Sequence, residues 1–198
     1  MLRIGLTGGI GSGKTTVSEY FESLYNIPII DADEISRELV LPHGEAYNEV
    51  IDLFGDESVL ESGEIDRKFI REKIFISPEL RTSLEEVIHP KVKASIINKT
   101  NTMSDRYCLI VIPLLIESSM QSLIDRTLVI QTSQSLQLSR VAERDQCTEA
   151  HVKTIIDTQL SDQERIKYAD DIIVNDGTHE DLIHQISQLH QKYLALSQ

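Results

Sequence analysis

Short, almost wholly apolar runs recur along this chain, separated by longer stretches in which apolar residues return every third or fourth position. The first pattern marks strands buried on both faces, and the second marks helices with one face on a core. The runs predict five strands, near Leu2–Thr7, Ile27–Ile30, Tyr107–Ile112, Thr127–Gln131 and Asp171–Val174. The helical spacing predicts a helix at Lys14–Leu24, where Val17, Tyr20, Phe21 and Leu24 share a face. Further helices are predicted at Asp33–Val40, Glu45–Phe54, Arg67–Ile74, Glu79–Ile88, Lys91–Lys99, Ser135–Arg144, Glu149–Leu160 and His179–Leu196. His89-Pro90 is read as a helix break, because a residue before proline is biased out of the helical region. Strands alternating with helices imply an α/β fold around a parallel sheet. The strands are unevenly spaced: a long helical excursion separates the second from the third, and a shorter polar one separates the fourth from the fifth. Insertions at such places in a parallel sheet often close over ligands.

Glycines crowd the junction between the first strand and the first helix, "LTGGIGSGKTT". Glycine weakens either element, so the run needs a backbone reason. Gly8-x-x-x-x-Gly13-Lys14-Thr15 has the spacing of a phosphate-cradling loop, in the required place between strand and helix. Backbone N–H groups of Gly8, Gly9, Gly11, Ser12 and Gly13 would wrap a phosphate chain, and the helix start at Lys14, Thr15 and Thr16 points its positive end at the anion. Lys14 would reach the β- and γ-phosphates of a nucleotide, and the Thr15 hydroxyl would ligate Mg²⁺. The glycine spacing does not fit a dinucleotide-binding G-x-G-x-x-G, which also has no use for Lys14.

Composition narrows the choice. With 198 residues, 40% hydrophobic and 26% charged, the chain fits one domain, or one domain carrying inserted subdomains. A formal net charge of −13 argues against non-specific binding to nucleic acid or anionic membranes, though not against a small phosphate ligand. Two cysteines, Cys108 in an apolar run and Cys147, do not suggest a disulfide or metal framework. No stretch approaches the roughly 18–20 apolar residues of a membrane span, and Met1–Gly5 runs straight into a strand, so a soluble, cytoplasmic protein is expected. A GTPase reading fails, because "NKTN" at 98–101 lacks the base-specifying aspartate and follows a helix. A small-molecule kinase fits better, since it needs an acceptor site and basic residues to cover the phosphates. Asp31 and Asp33 stand where the second strand ends, at the ligand end of an open parallel sheet. Asp31, with Glu34 three residues on, resembles a helix cap; Asp33 is the candidate to hold or deprotonate an attacking hydroxyl.

These pieces resemble the dephospho-coenzyme A kinase family along essentially the whole chain: "GLTGGIGSGK" at 5–14, "DAD" at 31–33, "FG" at 54–55, "IDR" at 65–67, "HP" at 89–90, "PLLIE" at 113–117, "QLSRVAERD" at 137–145, Gln159, "AD" at 169–170 and Asn175. Two departures are mild: Thr15 replaces the more usual serine, and "LSDQER" at 160–165 is unusually polar. The resemblance implies a three-layer α/β/α P-loop fold with a five-stranded parallel sheet and helical substrate-binding and lid insertions. The expected division is a core of 1–40, 102–133 and 168–198, a substrate-binding part at about 41–101 and a lid at about 134–167. It implies ATP-dependent, Mg²⁺-assisted phosphorylation of the ribose 3′-hydroxyl of dephospho-CoA, with Asp33 at that hydroxyl.

The remaining candidates each carry a bland alternative. Arg140 and Arg144 share a helical face and would meet the phosphates, or else pair with Glu143, Asp145 or Glu149. Arg165 is a further lid candidate or plain surface. The resemblance places His89 beside the acceptor. Glu117 would bond a substrate or a lid residue, or else cap a helix, and Arg67 and Arg71, one turn apart, are candidates for the acceptor's phosphates. Asn175 begins a turn that lies near the adenine in this family. An acceptor other than dephospho-CoA, or a nucleotide-binding switch without transfer, is the other class the residues alone leave open. Sequence carries no expectation for the oligomeric state.

Overall fold

A computed structural model describes residues 1–197. Its chain divides into two compact units: residues 1–31 with 102 onward, and Ala32–Asn101. The first unit contains the sheet. Its strands are β1 (Leu2–Gly8), β2 (Ile29–Asp31), β3 (Tyr107–Val111), β4 (Arg126–Gln131) and β5 (Asp171–Val174), all parallel and in the order β2-β3-β1-β4-β5. The apolar run read as "YCLIVIP" supplies β3, whose five residues are all buried. β2 starts two residues later than its apolar run suggests and reaches Asp31. It is registered only by its pairing with β3, Ile29 opposite Leu109 and Asp31 opposite Val111, and Ile27 instead bonds back to the end of the preceding helix.

Helix α1 (Lys14–Tyr25) puts Val17 and Phe21 into the core, where they meet Ile4, Leu6, Leu128 and Ile130 from the sheet. Leu182, Ile186 and Tyr193 of the long helix ending the chain, His179–Leu196, complete the same cluster. That helix begins with a capping box, Thr178 accepting from the Asp181 amide while Asp181 accepts from Thr178. Asp171, at the start of β5, is buried, yet its carboxylate is matched by Arg126 Nε at 3.1 Å, Lys192 and the Tyr193 hydroxyl.

The second unit is helical: α2 (Ala32–Leu39), α3 (Tyr47–Phe54), α4 (Arg67–Ile76) and α5 (Pro78–Thr102). Asp66 caps α4, accepting from the Lys68 and Phe69 amides. The predicted break at His89-Pro90 is absent, and one helix runs through Pro90. An interior proline costs about 3 kcal/mol. The same helix buries Ile88, Val92 and Ile96 at intervals of four, each worth about 1.5–3 kcal/mol, so packing outweighs the lost hydrogen bond. Back in the first unit, α6 (Gln134–Asp145), α7 (Glu149–Asp157) and the single turn α8 (Asp162–Arg165) join β4 to β5, and His179–Leu196 is α9. The predicted helix over Glu149–Leu160 therefore stops at Asp157, because Ser161 turns the chain and caps α8 by accepting from the Glu164 amide. Among the described residues no helix is long and apolar enough to cross a membrane.

Candidate active site

β1 ends at Gly8 and α1 begins at Lys14, so residues 9–13 form the turn between them. Gly13 sits at φ +94° and Gly11 at φ +73°, a region side chains resist. Gly13 is the N-cap of α1 and supplies no side-chain acceptor, which leaves the first amides of the helix directed at whatever anion occupies the loop. Lys14 Nζ reaches across the opening to the carbonyls of Gly8, at 2.7 Å, and Gly9, at 3.0 Å. Thr15 is exposed at the helix start, and its carbonyl accepts from the Ser18 hydroxyl.

The loop is braced from behind. The Ser12 carbonyl accepts from Thr132 Oγ1 at 3.1 Å and from buried Asn175 Nδ2 at 2.8 Å. Asn175 thus holds the loop through its side chain, in addition to any contact made by its backbone. A side chain at Gly13 would collide with that Nδ2. Arg140 Nη2 donates to the Asn175 carbonyl at 3.2 Å, while its Nη1 is buried with no acceptor among the described residues. Gly13, Thr16, Arg140, Asn175, Gly177, Thr178 and His179 surround a cavity of about 220 Å³. Its unmatched guanidinium N–H and its position beside the start of α1 suit the nucleoside end of a bound nucleotide.

A second cavity, about 520 Å³, touches the other end of the loop at Gly9 and is walled by Gln137, Gln159, Asp162 and Arg165. Gln159 Oε1 accepts from the Ile10 amide at 2.9 Å. A Cβ at Gly9 would lie 2.7 Å from Gln137 Nε2, so that amide packs directly against the glycine. Glu117 faces this region: its Oε1 accepts from the Leu160 amide at 3.2 Å and lies 3.6 Å from Arg165. The structure separates Arg140 from Arg144. Arg144 is 62% exposed and grips its neighbour Asp145 through two bonds, at 2.7 and 2.9 Å, which raises the arginine's pKa and holds the Asp145 carboxyl below the usual range.

Of the residues read as acceptor contacts, three lie in the helical unit. Asp33 is exposed in the first turn of α2. Arg67 donates to the Arg37 carbonyl at 3.4 Å and lines an apolar cavity of about 240 Å³ with Arg37, Arg71, Ile70 and Leu84. His89 is half-buried in α5, and its neighbour but one, Lys91, pairs with Glu49 at 2.8 Å. Sequence reasoning missed Thr132 and, though it quoted the pieces that contain Gln137, Gln159 and Asp162, gave those residues no role. Apart from those quoted pieces, the local signal was a polar segment between β4 and β5, which reads equally well as solvated surface.

A parallel sheet of this order, with a phosphate loop leaving its central strand and a helical unit inserted after β2, defines a P-loop kinase of the nucleoside-monophosphate-kinase type. Residues 2–181 match the family model described as dephospho-CoA kinase. A dephospho-CoA kinase of Vibrio vulnificus (strain YJ016) is 41% identical over 99% of this chain and 97% of its own length. Among solved structures, the dephospho-CoA kinase from Campylobacter jejuni superposes with a TM-score of 0.73 at 26% identity, covering 99% of this chain and 98% of its own. TT1252 from Thermus thermophilus superposes with a TM-score of 0.85 at 27% identity over 96% and 97%. The chain belongs to the dephospho-CoA kinase family, transferases that use ATP in the final step of coenzyme A biosynthesis.

Proposed function

We propose that this chain transfers the γ-phosphoryl of ATP to the ribose 3′-hydroxyl of dephospho-CoA, with the loop at 8–16 as donor site and Asp33 at the acceptor hydroxyl. The carrying observation is the loop itself: left-handed Gly13, an uncapped α1 start and Lys14 Nζ drawn across the opening. Phosphoryl transfer asks little covalent chemistry of a protein; positioning and neutralisation of charge supply the rate. Lys14 exchanges carbonyl partners for β- and γ-phosphate oxygens, amides of Gly8–Thr16 hold the chain of phosphates, and Arg140 and Asn175 hold the nucleoside end. Arg144 reaches the nucleotide only by leaving Asp145. Asp33 accepts the hydroxyl's hydrogen bond and aims its oxygen at phosphorus, while Arg67, His89 and Glu117 position the acceptor or the elements around it.

Mg²⁺ fits the donor set. The Thr15 hydroxyl, exposed at the start of α1, offers one protein oxygen to an ion whose other ligands are phosphate oxygens and water. Bound there, the ion would neutralise charge on the β- and γ-phosphates.

The test is coupled ADP release with ATP and Mg²⁺, with and without dephospho-CoA, for the wild type and Asp33→Asn. Acceptor-dependent turnover that drops roughly 10²-fold or more in the variant is the expected result. Turnover surviving the substitution removes Asp33 from the chemistry, and folded wild type without acceptor-dependent turnover sinks the substrate assignment.

A further inference from the structure

Arg165 is 1% exposed and heads the wholly buried side chains by size. Desolvating a guanidinium is costly unless every part of its charge is matched. Here the match is uneven. Nη1 donates to Asp162 Oδ1 at 2.5 Å, Nη2 donates to the Leu160 carbonyl at 2.7 Å, and Glu117 Oε1 stands 3.6 Å away. Nε finds no acceptor among the described residues. The same Nη1 lies 3.5 Å from where a Cβ at Gly9 would sit, so the charge is held against the beginning of the phosphate loop.

The two cavities give the loop a direction. One touches it at Gly13 and Thr16 and the other at Gly9. On the reading that the loop holds ATP with its base toward Asn175, the phosphates run toward Gly9, and the terminal one lies at the Arg165 end. We propose that Arg165 contacts the transferring γ-phosphoryl, and that Asp162 is its resting counter-ion, displaced from Nη1 by a phosphate oxygen when ATP binds. Carboxylate and phosphate oxygens compete for the same guanidinium N–H, and phosphate brings more charge to it. The exchange moves no proton and breaks no covalent bond. Glu117 and the Leu160 carbonyl stay on the opposite edge of the guanidinium and keep it aimed, and Gln159 on the Ile10 amide keeps the same segment docked on the loop. Arg165 rather than surface-paired Arg144 then supplies the second cation at the γ-phosphoryl.

The inference rests on ATP occupying the loop, and its test does not depend on the acceptor. Dissociation constants for ATP and ADP are measured on the full chain by displacement of a fluorescent ADP, for the wild type, Arg165→Met, Arg165→Lys and Asp162→Asn. Only ATP carries the phosphoryl concerned. Arg165→Met is expected to cut the preference for ATP over ADP about tenfold or more, and kcat about 10²–10³-fold, with Arg165→Lys recovering part of both. Asp162→Asn is expected to tighten ATP several-fold and leave ADP unchanged. A folded Arg165→Met with the wild-type ATP:ADP ratio overturns the contact. Asp162→Asn with ATP no tighter overturns the exchange, and that variant decides the question if Arg165→Met does not fold. Wild type that prefers ATP to ADP yet shows no turnover with dephospho-CoA would count against the substrate, not against Arg165.

Discussion

The contact between Gly13 and Asn175 gives the sharpest quantitative test of how this loop is held. Gly13→Ala meets two penalties. A side chain at φ +94° costs about 1–2 kcal/mol. Its Cβ also takes the space of Asn175 Nδ2, which must leave the Ser12 carbonyl and forfeit a hydrogen bond worth about 0.5–1.5 kcal/mol. The expected loss is therefore about 1.5–3.5 kcal/mol, or about 3–14 °C in Tm for a chain of this size. Asn175→Ala removes only the hydrogen bond, and Ser12 keeps Thr132 as a donor, so its cost falls at the lower end, about 0.5–1 kcal/mol. In the Asn175→Ala background nothing remains for the new Cβ to strike, and Gly13→Ala pays the backbone penalty alone. The double variant is thus less damaged than the sum of the singles by about 0.5–1.5 kcal/mol. Urea unfolding followed by tyrosine fluorescence serves as the assay, since the chain has six tyrosines and no tryptophan. Strict additivity of the two substitutions would refute the bracing of the loop by Asn175.

Other expectations are simpler to state. Arg140→Ala should raise KM for ATP at least about tenfold more than Arg144→Ala, since Arg140 already lines the cavity at Gly13 and Arg144 is engaged at the surface; equal effects in steady-state assays would reverse that ranking. His190 stacks on Tyr25 and bonds the Tyr107 hydroxyl at 2.7 Å, and burial pushes its pKa below 6.5. In that window the unfolded chain binds the extra proton, so stability falls as pH drops through 6.5 and is flat above it. Unfolding curves from pH 8 to 5 should show this slope, and His190→Asn should flatten it. Chelation of divalent cations should abolish turnover without moving the Tm of the nucleotide-free protein, because the described residues contain no cluster able to hold a metal by themselves; a lower Tm would argue for a structural ion.

The parts of this protein that sequence discloses are those where one local rule suffices. "YCLIVIP" is a strand in any surroundings that bury both its faces, and Gly13 before Lys14 is legible because left-handed backbone beside an anion tolerates little else. Pro90 misled because a local penalty was weighed without the apolar face that α5 buries at Ile88, Val92 and Ile96. What the residues of the far wall do was hidden for a different reason. Gln137, Gln159, Asp162 and Arg165 lie well over a hundred residues from Gly9 and Ile10 in the chain, and each is of a type that usually faces water. Their meaning comes from burial, which single-sequence periodicity cannot report for a polar segment. Arg165 shows the consequence. In sequence it is a lid candidate that "SDQERIKY" cannot tell from plain surface, whereas in the fold it is a desolvated cation beside the phosphate loop, with a carboxylate on Nη1 where a phosphate oxygen can take its place. An arginine meant only to hold α8 in place would be cheaper to replace with an apolar side chain than to bury. The retained charge, on the edge of the cavity at Gly9, is the reason to look for its partner in the ligand.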